Sequence, residues 1–114
     1  MKEQSGYLEQ MNNYLSKVKE AVKPFEGTMN SPGDSGLTPE YLSWIKEAQL
    51  VFEEVKQLEA PNLFKPLHLK LCGAMVHFSR MSAAILKGEI DRAKKEYRRG
   101  MRDYDSTREM VKTA

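Results

Sequence analysis

Residues 66–111 read PLHLKLCGAMVHFSRMSAAILKGEIDRAKKEYRRGMRDYDSTREMV, and this stretch decides the fold. Before Lys87-Gly88-Glu89, the apolar residues Leu67, Leu71, Ala74, Phe78, Met81 and Ile85 recur at alternating steps of four and three. After it, Ile90, Tyr97, Tyr104 and Val111 recur every seven. An α-helix turns once in 3.6 residues, so each rhythm lays an apolar stripe along one helix face. Gly88 suits the left-handed conformation that ends many helices. The stretch predicts two amphipathic helices folded against each other. On the second, the small residues Ala93, Gly100 and Thr107 each stand three after a member of the heptad row. A mid-helix glycine costs about 1 kcal/mol relative to alanine, so Gly100 is expected at a close helix–helix contact.

Upstream, Leu8, Met11, Leu15, Val18 and Val22 keep the four-three rhythm, with Tyr7, Tyr14 and Ala21 beside them. Pro24 lacks the N–H that a helix interior needs, so this first helix is expected to span about 5–23. Residues 25–37 hold Gly27, Pro32, Gly33 and Gly36 among Asn, Ser and Asp, and are expected to form a long loop without periodicity. Thr38-Pro39-Glu40 then opens a helix: a capping hydroxyl, a proline pre-set for the first turn, and an acid at the positive helix end. Its stripe of Tyr41, Trp44, Ile45, Ala48, Val51, Phe52, Val55 and Leu58 places Trp44 and Phe52 near the core centre and extends it to about 59. The third and fourth helices are expected over 63–87 and 89–112. The fold class is all-α: one domain over 1–114, an antiparallel four-helix bundle with a long loop between helices 1 and 2.

With 114 residues, 40% of them apolar, the chain can bury one modest core. The net charge of +2 is too small to argue by itself for nucleic acid or membrane. Charge is uneven along the chain, however. Residues 40–59 carry five Glu and two Lys, while 60–88 carry Lys65, Lys70, Arg80 and Lys87 and no acid. That contrast predicts a complementary antiparallel pairing of helices 2 and 3. Cys72 is the only cysteine, which excludes an intrachain disulfide. No run approaches the roughly 20 apolar residues of a membrane-spanning helix. Met1–Gly6 lacks the apolar core of a signal peptide, so the expected location is cytoplasmic, or exported or lipid-anchored if Met1 replaces a removed leader.

Few residues suggest chemistry. His68 and Cys72 lie one helical turn apart and Met75 continues the row, a soft-metal pattern short of the four ligands a tetrahedral site needs. Arg92, Lys95, Arg98, Arg99 and Arg102 form a basic cluster with Lys94, but Asp91, Glu96, Asp103 and Asp105 interleave with it. A solvated helix face with local ion pairs accounts for that cluster, and nucleic acid binding is disfavoured. Glu47, Glu53, Glu54 and Glu59 read as a solvated face, because the Glu-x-x-His step of di-metal bundles does not occur. No phosphate-binding loop, dinucleotide fingerprint, nucleophile elbow or zinc-protease motif is present. No cofactor is implied, and the chain is read as a non-enzyme.

Ala60-Pro61-Asn62-Leu63-Phe64-Lys65-Pro66-Leu67-His68-Leu69-Lys70-Leu71, followed by Ile85-Leu86-Lys87-Gly88-Glu89-Ile90-Asp91-Arg92-Ala93, resembles the soluble helical domains of small Gram-positive lipoproteins and secreted proteins of unknown function. There an Ala-Pro precedes a Leu-His helix start, and a Gly-Asp/Glu turn joins two long helices. The resemblance covers the second half of the chain and implies a bacterial, exported helical domain. The residues themselves point to a small helical protein that acts by protein–protein interaction or self-association. A ligand- or metal-binding bundle is the alternative, and a nucleic-acid-associated regulator the second alternative.

Overall fold

The structure, a computed structural model, describes residues 2–30 and 39–113. It is an all-α, four-helix fold: α1 (Lys2–Asn30), α2 (Pro39–Lys56), a 3₁₀ turn (Asn62–Phe64), α3 (Lys65–Leu86) and α4 (Ile90–Thr113). Successive helices run antiparallel. Thr28 near the end of α1 hydrogen-bonds Tyr41 at the start of α2, and Lys70 early in α3 meets Asp103 late in α4. The body measures 49 × 22 × 17 Å, as long helices packed side by side require.

The α3–α4 turn follows from Gly88. Its φ of 75° lies where side chains are rarely tolerated. There the Glu89 N–H reaches the Ala84 carbonyl (2.9 Å) and the Gly88 N–H reaches that of Ile85 (3.0 Å). These paired bonds satisfy carbonyls that the end of α3 would otherwise leave bare. At the start of α3, Pro66 falls in the first turn, where its missing N–H has no partner to lose. Asn62–Phe64 is a separate 3₁₀ turn that buries Phe64.

The core is built from the predicted rows. Leu71, Ala74, Phe78 and Met81 of α3, Ala93 of α4, and Phe52 and Val55 of α2 are fully buried. Gly100 is where α3 and α4 approach most tightly: a Cβ placed there would stand 2.6 Å from the Phe78 ring. Alongside it, Thr107 is buried because its hydroxyl donates to the Asp103 carbonyl one turn back (2.8 Å).

Four expectations are corrected. First, Pro24 does not end α1, which continues to Asn30. Pro24 deprives only the carbonyl of Glu20, an exposed residue whose carbonyl can turn to water, while Phe25 and Met29 carry the buried row onward. Residues 25–30 of the expected loop are therefore helical, and 31–37 lie outside the described residues. Second, α2 stops at Lys56 instead of 59, α3 starts two residues later and ends one earlier than expected, and α4 is shifted by one residue. Third, Phe52 sits in the core as expected, but Trp44 is half-buried beside α1, edge-on to Tyr41 (5.1 Å) and Phe25 (6.4 Å between ring centroids). Fourth, α2 and α3 pack against each other as expected, but among the described residues no ion pair joins them. Glu54 of α2 pairs with Lys17 of α1 and Lys70 of α3 with Asp103 of α4.

Candidate functional site

The most concentrated polar structure lies in the α3–α4 seam. Glu96 is 5% exposed although it is a carboxylate. Burying a charge is costly unless it is paired, and Glu96 has two partners. Its Oε2 lies 2.7 Å from His77 Nδ1 across the seam, and its Oε1 accepts from Arg99 (3.3 Å). His77 Nε2 stands 3.8 Å from Asp103 Oδ2, and the other Asp103 oxygen is 3.5 Å from Lys70 Nζ. The result is a five-membered chain, Lys70–Asp103–His77–Glu96–Arg99, in which each acid lies between a base and an imidazole. Gly73 makes room for it: a Cβ there would stand 3.1 Å from Asp103 Oδ2. The local sequence shows no sign of this chain, because its members come from two helices; only the antiparallel register set by Gly88 brings positions 77 and 96 together.

The predicted soft-metal row lies at the end of the bundle where the 3₁₀ turn meets α1. His68 Nε2 is 3.4 Å from Cys72 Sγ, so the one-turn spacing does bring these two together. Met75 is fully buried in the core. Among the described residues no set of three or more His, Cys, Asp or Glu side chains is placed to hold a metal ion. Burial pushes the Cys72 thiol up, an effect that Lys56 partly opposes, and burial also pushes His68 down. Both shifts favour a neutral thiol beside a neutral imidazole over a thiolate–imidazolium pair, the form a reactive cysteine requires. Tyr7 stacks on Phe64 (5.0 Å between centroids). Burial, with a smaller contribution from the nearby Cys72, pushes the Tyr7 hydroxyl up to about 12. The Tyr7 hydroxyl and His68 Nδ1 are buried without a hydrogen-bond partner.

The basic cluster takes on a different aspect in three dimensions. Arg92, Lys95, Arg98, Arg99 and Arg102 are all exposed, whereas Glu96 and Asp103, which interleave with them in sequence, turn into the seam. Arg92 and Arg99 each hold a carboxylate one turn away, Glu89 and Glu96 respectively, both at 3.3 Å. Tyr97 and Tyr104 face the core as their spacing predicts. The Tyr104 hydroxyl donates to the Leu15 carbonyl of α1 (2.9 Å), tying α4 to α1.

Two open clefts flank α1. One, of about 530 Å³, lies between α1 and α2 and is lined by Lys17, Pro24, Trp44 and Val51 among others. The second, of about 400 Å³, lies between α1 and α4 beside Val22, Met101 and Tyr104. Neither contains a pair of groups arranged as nucleophile and base. No helix of the described residues is long and apolar enough to cross a membrane. Comparison with known protein families, with characterised proteins and with solved structures found no match to this chain.

Proposed function

We propose that this chain is a small non-enzymatic helical module that acts by binding a protein partner. The supporting observation is the distribution of exposed apolar side chains. Leu42, Leu50, Leu63, Leu69, Val76 and Leu86 are the large hydrophobic residues left in solvent among the described residues. All six belong to α2, the 3₁₀ turn and α3, and none to α1 or α4. Single exposed leucines are ordinary, but their concentration in α2, the 3₁₀ turn and α3 makes that part of the bundle the better candidate for an interaction surface. Leu50 is 74% exposed, so folding of the monomer gains little from it.

Photo-crosslinkable residues at positions 50 and 86, compared with position 9 on α1, test this reading in extracts of the source cells. Discrete adducts from 50 and 86 but not from 9 are expected. Equal yields from all three sites would overturn it. Sedimentation of the purified chain across a concentration series separates a second copy from a foreign partner.

A ligand-binding bundle is the second reading, supported by the unpartnered Tyr7 hydroxyl and His68 Nδ1 beside Cys72. A ligand present at 100 times its Kd raises stability by about 2.7 kcal/mol. Melts with Zn²⁺, Cu⁺ and haem that show no shift would remove those ligands.

A further inference from the structure

In sequence the bases of α4 are diluted by acids; in the fold part of that dilution is withdrawn. Arg92, Lys95, Arg99 and Arg102 follow at steps of three, four and three, which sets them on one helix face over three turns. Glu96 and Asp103 are drawn into the seam by His77 and Lys70, although Glu96 still holds Arg99 with its other oxygen. From α3, which contains no Asp or Glu, the exposed Arg80 extends the basic surface, with Lys87 just past the helix end and Lys70, paired with Asp103, at its other end. Of the exposed acids near it, Glu89 and Asp91 stand at the α3–α4 turn, with Glu89 bound to Arg92, and Asp105 and Glu109 follow Arg102, held by Arg108 and Lys112. Lys95, Arg102, Arg80 and Lys87 have no ion-pair partner among the described residues. The whole chain shares this asymmetry: residues 60–114 carry twelve Lys/Arg against six Asp/Glu, and residues 1–59 six against ten. Such a separation orients the molecule in the field of an anionic surface.

Apolar side chains stand among these cations. Leu69 is 68% exposed and Val76 36%, seven residues apart on the outer side of α3. The principal clefts are lined from α1, α2 and α4, and the only α3 residue in any of them is the core Phe78. Arg102 borders one of these clefts, but none of them includes Leu69 or Val76, and a helical peptide needs a groove to lie in. A nucleic acid would use the cations but has no use for Leu69 and Val76. A planar layer of anionic headgroups over an acyl boundary matches both features and needs no groove.

We propose that the α3–α4 face docks on an anionic lipid surface, its Lys and Arg side chains over the headgroups and Leu69 and Val76 at the acyl boundary. This proposal rests on charge placement; it shares Leu69 and Val76 with the apolar set behind the protein-partner reading, whose test uses positions 50 and 86 instead. The experiment is flotation of the full chain with vesicles of phosphatidylcholine alone, or with roughly 30 mol% phosphatidylglycerol. The expected result is at least about tenfold stronger partitioning onto the anionic vesicles, falling about tenfold or more between about 0.1 and 0.5 M salt. Lys95→Glu with Arg102→Glu should reduce it by a further tenfold or so, while Lys19→Glu with Lys23→Glu on α1 leaves it unchanged. Leu69→Ser with Val76→Ser should weaken vesicle binding several-fold with the melting curve unaltered. If the Glu pair disturbs folding, Arg80→Ser with Lys87→Ser replaces it. Equal binding to neutral and anionic vesicles would overturn the proposal. So would vesicle binding indifferent to the Leu69/Val76 pair, or tight binding to a DNA duplex in place of vesicles.

Discussion

The α3–α4 hairpin and helix α1 are held in the same bundle by different means. Between α3 and α4, Ala93, Gly100 and Gly73 remove side-chain bulk, so the helices approach until Phe78 fills the space over Gly100. The charged chain from Lys70 to Arg99 closes the outer edge of that contact. Helix α1 has no comparable small-residue row. It contributes Tyr7, Met11, Leu15, Val18, Val22, Phe25 and Met29 to the core, yet clefts open on both of its sides. Its polar ties include the Tyr104 hydroxyl on the Leu15 carbonyl, the Thr28–Tyr41 hydroxyl pair, and Tyr14 and Lys17 on Glu54. Close packing makes a contact that tolerates no added atom, whereas a long apolar row makes one that tolerates irregularity. A proline inside a 29-residue helix is therefore found in α1 and not in the hairpin.

The largest effect expected from this contrast is at Phe78. Phe78→Ala empties the centre of the hairpin contact and should cost about 3–5 kcal/mol in denaturant unfolding. A cost below about 1 kcal/mol would mean that α3 and α4 collapse onto the space, against the tight geometry at Gly100. Pro24→Ala should act in the opposite direction. It restores the hydrogen bond to the Glu20 carbonyl and removes a residue about 3 kcal/mol less favourable than alanine in a helix interior, so a gain of about 1–3 kcal/mol is expected. No gain would show that α1 is shaped around its proline.

A matched glycine pair sharpens the comparison. Gly100→Ala should destabilise by about 1–3 kcal/mol despite its better helix propensity, because the new methyl meets the Phe78 ring. Gly27→Ala on α1 meets no atom within 4 Å and should stabilise by about 0.5–1 kcal/mol. The same sign at both positions would remove the distinction drawn between the two regions.

The smallest effect concerns pH. Burial holds His68 below the ordinary imidazole range, so the unfolded chain takes up the proton first on acidification. The stability that His68 contributes is complete above the unfolded value of about 6.5 and is lost as pH falls from there through the lower folded value. His68→Gln should therefore flatten the fall of the melting temperature on the acid side of about pH 6.5. An acid limb of unchanged slope would assign the loss to other groups.

Much of this architecture is legible in the residues. The hairpin, its left-handed Gly88 and the contact at Gly100 follow from spacing and side-chain size, both local properties. The end of α1 was misread because a strong local rule, proline against helix, was set above a longer pattern. Phe25 and Met29 continue the rhythm of Met11, Leu15, Val18 and Val22 without a break, and burial of that row outweighs one lost hydrogen bond. Trp44 follows the apolar rhythm of α2 but lies toward α1 at the edge of the stripe, which periodicity does not resolve. The candidate sites were less legible. His77 and Glu96 are nineteen residues apart, so no motif joins them. The charge tally over α4 counts Glu96 and Asp103 as surface neighbours of the arginines, although both turn into the seam, Asp103 to His77 and Lys70 and Glu96 between His77 and Arg99.

By itself, then, the sequence determined four amphipathic helices, the turn that folds the last two together and the small residues that let them meet, because each depends on the order of residues within one or two turns. Only the tertiary structure decided which acids stay on the surface and which are withdrawn, where the exposed leucines gather, and how Tyr104 reaches the backbone of α1. Those outcomes depend on which helix faces which. A side chain's burial and charge partners are set by neighbours distant in the chain, so the surface on which any function rests is assembled only when the bundle closes.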